Sequence, residues 1–161
     1  MKECEKLGIL VDVSHMGDKG FWDIIEMSTK PVIASHSNSR KVCFSPRNLD
    51  DSMIKAIAKT GGVIGMNFCS NFLNEEAGNE MRIADLVQHI LHIREIGGID
   101  CIALGSDFDG IESDLEIKNA AGMQKIAQAL LEAGLRKEEI EKIFSKNMLR
   151  VLKAVLPATQ Y

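Results

Sequence analysis

The chain has 161 residues, 45% hydrophobic and 26% charged, the profile of one ordinary globular domain and not of a disordered segment. Its formal net charge of −4 comes without any run of Lys or Arg, which argues against nucleic acid as a partner. No apolar stretch approaches the roughly 20 residues that cross a bilayer, and MKECEKLGIL lacks the order of a secretory leader, so no membrane partner is expected. Cys4, Cys43, Cys69 and Cys101 lie far apart without CxxC pairs; they read as reduced, mostly buried thiols of a cytoplasmic protein.

In chain order, residues 1–8 read as the end of a helix, with Leu7 leading into Gly8. An apolar run follows at 9–13, then a helical pattern at 18–27 with Phe21, Ile24 and Ile25 on one side. A second apolar run at 31–34 precedes a helix at 50–59 that carries Met53, Ile54 and Ile57 and stops at Gly61 and Gly62. A third run spans 62–67. The strongest helical pattern, 82–96, sets Ile83, Leu86, Val87, Ile90, Leu91 and Ile93 at helical spacing and stops at Gly97 and Gly98. A fourth run at 101–105 is followed by helical patterns only, at 120–133, 137–144 and 146–155, separated by Gly134 and by residues 145–147.

The four runs are near-continuous instead of alternating, as parallel strands buried on both faces require. Strands alternating with helices predict βα units and a parallel sheet. The polar residues sharpen this, because Ser14-His15, Ser35-His36, Asn67 and Asp107 each close a different run. In a TIM-type barrel every strand delivers its last residues to one mouth; an open doubly wound sheet gathers them along one edge, so the barrel is favoured without excluding it. The fold class expected is α/β, half of a TIM-type (β/α)8 barrel, with about four parallel strands, crossover helices and additional C-terminal helices. A complete barrel needs roughly 200 residues or more.

Three segments, VDVSHMGDKGFWDIIEMSTKPVIASHSNSR, RNLDDSMIKAIAKTGGVIGMNF and LGSDFDGIE, together with the late KNMLR, closely resemble the second half of the renal (membrane) dipeptidase family from about Leu7 to Arg150. Residues 1–161 are then the C-terminal half of a metallo-dipeptidase barrel. The resemblance implies a TIM-like barrel holding two Zn2+ ions that hydrolyses dipeptides with a metal-activated hydroxide. It implies His15 and His36 as ligands of one zinc, Asp107 as the catalytic acid beside the water, and Arg47 as the grip on the substrate carboxylate. It also implies an incomplete site, since the family's first-strand His-x-Asp pair and bridging glutamate have no counterpart in this sequence.

The chemistry of these residue types agrees with those roles. Imidazole is a good neutral zinc ligand, although a catalytic zinc usually takes three protein ligands. Spacing alone does not choose between Asp107 and Asp109 for proton transfer, and either acid could instead bind its own backbone in a turn. Arg47 offers a planar fork suited to a free C-terminal carboxylate. Asp12, an acid inside an apolar strand, would orient a histidine or make a structural hydrogen bond. His89 and His92 lie three apart beside Asp85 and Gln88 and are expected on a solvated helix face. The competing readings are another amidohydrolase-like metal hydrolase, such as a deacetylase, and a non-catalytic half-barrel acting as a binding module. Free strand edges predict self-association into a homo-oligomer or pairing with a complementary N-terminal half.

Overall fold

The computed structural model describes residues 1–157. The first helix, α1 (Lys2–Leu7), ends at Gly8 in the left-handed conformation, φ 70°, as its sequence predicts. Then come β1 (Val11–Asp12), α2 (Asp18–Met27), β2 (Val32–Ile33), α3 (Asp51–Lys59) and β3 (Ile64–Met66). They are followed by α4 (Ser70–Leu73), β4 (Glu80–Met81), α5 (Ile83–Gly97), β5 (Ile102–Leu104) and β6 (Asp114–Leu115). The chain closes with α6 (Gln124–Glu132), α7 (Lys137–Glu141) and α8 (Asn147–Val155).

Strands β1 and β2 pair in parallel, β2 continues through an Ala34–Ile64 bridge to β3, and β3 pairs in parallel with β5. Among β1, β2, β3 and β5, neighbours in space follow one another in chain order with no reversal; β4, between β3 and β5 in the chain, lies outside this sheet. A doubly wound sheet would show a switch point; sequential parallel pairing is the arrangement of half a (β/α)8 barrel. The regular strands are two or three residues long, shorter than the apolar runs that predicted them. The run ends turn out of the ladder to carry the polar residues at the mouth.

Side chains alternate between two cores. Val32, Ala34, Ile64, Met66 and Ile102 join the large cluster built with Phe21, Ile54, Ile57, Ile90 and Ile93 of the crossover helices. Ile33, Val63 and Ala103 point the other way, onto Val151 and Val155 of α8. Each of the large buried aliphatics contributes about 1.5–3 kcal/mol. β1 departs from the expectation of burial on both faces: Val11 is half-buried and Asp12 exposed.

Three features differ from the sequence reading. A short parallel ribbon joins β4 to β6, two pairs of residues in segments too polar to announce a strand. Residues 145–147 do not break the C-terminal helices; a π-helical turn at Lys142–Lys146 carries α7 into α8. No Gly or Pro stands there to stop the helix, and the Asn147 amide donates to the Ile99 and Ile102 carbonyls, 2.8 Å each, anchoring the wide turn to β5. His89 is fully buried, not solvated, because the loop after β2 covers that side of α5. His92 is half-buried, with its Nε2 2.7 Å from Asp51. Of the four free cysteines, Cys43 and Cys101 are buried and Cys4 and Cys69 half-buried. Burial pushes the Cys101 thiol up to about 12, so it stays protonated and unreactive.

Glu139 ties α7 to α5. Its carboxylate accepts from the Arg136 amide at 3.0 Å and from the Arg94 guanidinium at 2.6 Å. The amide bond, helped by the guanidinium, lowers it from an ordinary 4.5 to about 2. A depressed folded value adds stability above the ordinary carboxylate range, and that stability disappears as pH falls through the folded value. Glu139→Gln is expected to melt earlier than the parent at neutral pH, with the gap narrowing between pH 4.5 and 2 in melting curves recorded across that range. A methyl on Gly65 would lie 2.0 Å from the Ser35 carbonyl oxygen. Gly65→Ala should therefore cost roughly 3 kcal/mol, the upper end of overpacking, in urea denaturation.

Candidate active site

The ends of β1 and β2 bring the two Ser-His dipeptides side by side. His15 and His36 face each other with Nε2 atoms 2.8 Å apart and ring centroids 4.9 Å apart. Two imidazole nitrogens on one tetrahedral zinc, each about 2.0–2.1 Å from it, stand roughly 3.3 Å apart, so the pair needs to open by only about half an ångström. The residues fit one ion as a pair of ligands. Among the described residues no group of three or more His, Cys, Asp or Glu converges, so they do not complete a site.

A hydrogen-bonded frame holds the pair. Asp12 Oδ1 accepts from the Ser14 amide at 3.0 Å and the Ser35 amide at 2.9 Å, and its Oδ2 accepts from the Ser35 hydroxyl. The Ser35 Oγ stands 2.7 Å from His36 Nδ1, and the Ser14 hydroxyl accepts from the His36 amide at 3.0 Å. Desolvation of the carboxylate within the frame works against the Asp12 charge, but the Ser35 hydroxyl and the two amides outweigh it and hold the carboxyl below its usual range.

Asp107 follows β5 at the same end of the sheet. Its Oδ2 accepts from the Asn67 amide at 3.0 Å, and Asn67, at the end of β3, is fully buried. The Asn67 side-chain oxygen takes the Cys69 amide at 2.6 Å, while its backbone is clamped on both sides by the buried Asn38. Asp109, by contrast, is exposed. Among the described residues the only non-glycine residues at positive φ are His15 at 68°, Asp107 at 62° and Asp109 at 64°. Left-handed backbone costs about 1–2 kcal/mol per residue and persists where surrounding structure enforces it, which is common at functional sites.

Arg47 lies half-buried in the loop between β2 and α3, its guanidinium 5.7 Å from the centre of the Phe72 ring. Among the described residues it makes no salt bridge, whereas Arg40 of the same loop is bound through both terminal nitrogens to Asp18 at 2.9 Å. Of these two loop arginines, Arg47 is thus the one without an ion-pair partner among the described residues. Sequence reasoning passed over the Ser35 hydroxyl, Asn38 and Asn48, and it read His89 as solvated. His89 accepts the Ser39 amide at 3.0 Å through Nδ1 and donates to the Leu73 carbonyl at 2.9 Å through Nε2. The sequence places His89 beside Asp85 and Gln88, and nothing in it said that a loop would cover that side.

The family model for membrane dipeptidases (peptidase family M19) matches residues 1–160. The chain belongs to the membrane dipeptidase family of metallopeptidases. It is 39% identical over 96% of its length to an uncharacterized Klebsiella pneumoniae protein encoded in the pqqA 5' region, and spans 58% of that protein. A metallopeptidase called dipeptidase AC superposes with a TM-score of 0.91 at 32% identity, with 98% of this chain and 47% of that one matched. A Rhodobacter sphaeroides metallopeptidase, solved with a phosphinate mimic of the dipeptide L-Ala-D-Ala, superposes with a TM-score of 0.90 at 32% identity, over 96% and 44% of the two chains. The chain thus spans about half the length of these relatives.

Within this dipeptidase frame, Asn67→Ala removes the donor to Asp107 and leaves the Cys69 amide without its partner. A loss of about 1–3 kcal/mol is expected in urea denaturation. Asn67→Asp, which sets a second acid against Asp107, should cost more.

Proposed function

We propose that this chain is the C-terminal half of a zinc-dependent dipeptidase, supplying two ligands of one Zn2+, the proton-transfer acid and the carboxylate grip. The observation that carries this reading is the convergence of the His15 and His36 Nε2 atoms at 2.8 Å on the ends of adjacent parallel strands. A zinc ion held by these two histidines would supply Lewis-acid activation of the attacking water. Asp107, held by Asn67, would take a proton from the attacking water and return it to the departing amine. Arg47 holds the substrate's free C-terminal carboxylate through parallel hydrogen bonds, and Phe72 supports the plane of its guanidinium. That grip favours a dipeptide over the neutral amides a deacetylase would take.

The remaining ligands come from further strands that close the barrel. In the described residues β1 pairs only with β2 and β5 only with β3, so each keeps a free edge, and Leu7 and Ile9 beside β1 are exposed. A complementary N-terminal half, or a second polypeptide that plays its part, fits these edges. The same open edges support the second reading, a non-catalytic half-barrel that binds a partner chain.

Two measurements separate the readings. Zinc-supplemented hydrolysis of L-L and L-D dipeptides should appear when the chain is mixed with an N-terminal half from a relative, and vanish with His15→Ala, His36→Ala or Asp107→Asn. Absence of activity in the mixture as well as alone, despite a formed complex in sedimentation, sinks the dipeptidase reading for this chain. In the active mixture, Arg47→Ala should raise KM roughly 10- to 100-fold with little change in kcat. An unchanged KM would remove the carboxylate grip.

A further inference from the structure

The Asp12 frame has a direction. An ionised carboxylate only accepts hydrogen bonds, so the single Ser35 hydroxyl proton must lie on the Asp12 side of the short Ser35–Asp12 contact. The Ser35 oxygen can then meet His36 Nδ1, 2.7 Å away, only as an acceptor. The neutral His36 ring therefore carries its one proton on Nδ1 and turns a bare lone pair outward from Nε2. The 2.8 Å contact between the two Nε2 atoms then requires His15 to donate, as the Nε2–H tautomer. One carboxylate oxygen also binds the amides of Ser14 and Ser35, the residues immediately before both histidines. We propose that Asp12 is the positioning residue of both histidines, and that through the Ser35 hydroxyl it locks His36 as the Nδ1–H tautomer whose Nε2 lone pair receives a divalent cation. Only the last step rests on reading His15 and His36 as ligands; the tautomer itself does not.

The sharpest variant is Asp12→Asn, which keeps the shape of the side chain. Oδ1 already accepts two amides, so the introduced carboxamide keeps its oxygen there and turns its NH2 towards Ser35. The Ser35 hydroxyl then accepts from that NH2 and donates its own proton to His36 Nδ1. The relay is reversed and His36 becomes Nε2–H. Ser35→Ala cuts the relay, and Ser35→Thr restores it.

The test is long-range 1H–15N correlation of the histidine rings in the full metal-free chain, at a pH where they are neutral, followed by titration with cobalt(II). The parent and Ser35→Thr should show His36 as Nδ1–H. Asp12→Asn should show Nε2–H, and Ser35→Ala should lose the exclusive Nδ1–H state, with parent-like circular dichroism throughout. Cobalt(II) affinity should fall about 10- to 100-fold in Asp12→Asn and Ser35→Ala and hold in Ser35→Thr, as for other partners of metal-bound histidines. An Nε2–H His36 in the parent, or an Asp12→Asn spectrum identical to it, overturns the proposal. An Nδ1–H His36 in a chain that takes up no cobalt(II) upholds the relay and overturns the ligand assignment made above.

Discussion

The Ser35 carbonyl oxygen is the point on which the architecture turns. It occupies the space that a Cβ on Gly65 or on Gly105 would need, 2.0 and 1.8 Å away respectively. Three parallel strands can approach this closely at their carboxyl ends only because two of them carry no side chain there. The approach has a direct chemical result. It sets His36, Asn67 and Asp107, each just beyond a strand, around one mouth, while Val151 and Val155 of α8 fill the inner face further down.

Around that mouth, polar groups are bound to one another. Asp12 collects two amides and a hydroxyl, Asn67 links Cys69 to Asp107, and Asn38 braces Asn67 through its backbone. Networks of this kind are stiff, since each member left unpaired costs about 1–3 kcal/mol. That stiffness bears on His15 and Asp107, which stay in left-handed backbone despite its cost. Both are residues proposed to take part in the chemistry, and the frame that holds them sits beside them in the chain.

The loop between β2 and α3 obeys the same logic. Helix α4 ends with carbonyls that have no helical partner, and Asn38 and Asn48 both donate to Phe72 while His89 donates to Leu73. His89 also accepts from Ser39 within the loop. Burial lowers the pKa of the His89 ring, keeping it neutral and able to do both. The segment that carries Arg47 is thereby fastened to the helix whose Phe72 ring lies under the guanidinium.

The sequence by itself placed the four main strands and most of the helices, and nominated the residues of the candidate site. Periodicity placed the four strands and the helices α2, α3 and α5, since apolar spacing is a local signal that burial merely confirms. The chain order of strands and helices implied parallel pairing, and the polar residues at the strand ends were readable because a strand has only one carboxyl end. Only the tertiary structure decided which of these residues meet. His89 went inside because a loop distant in sequence covered it, the Asp12–Ser35–His36 relay exists because two strands separated by a whole helix lie side by side, and the π-helical turn follows from an asparagine reaching β5. Each of these depends on contacts between segments far apart in the chain, and local spacing carries no information about them.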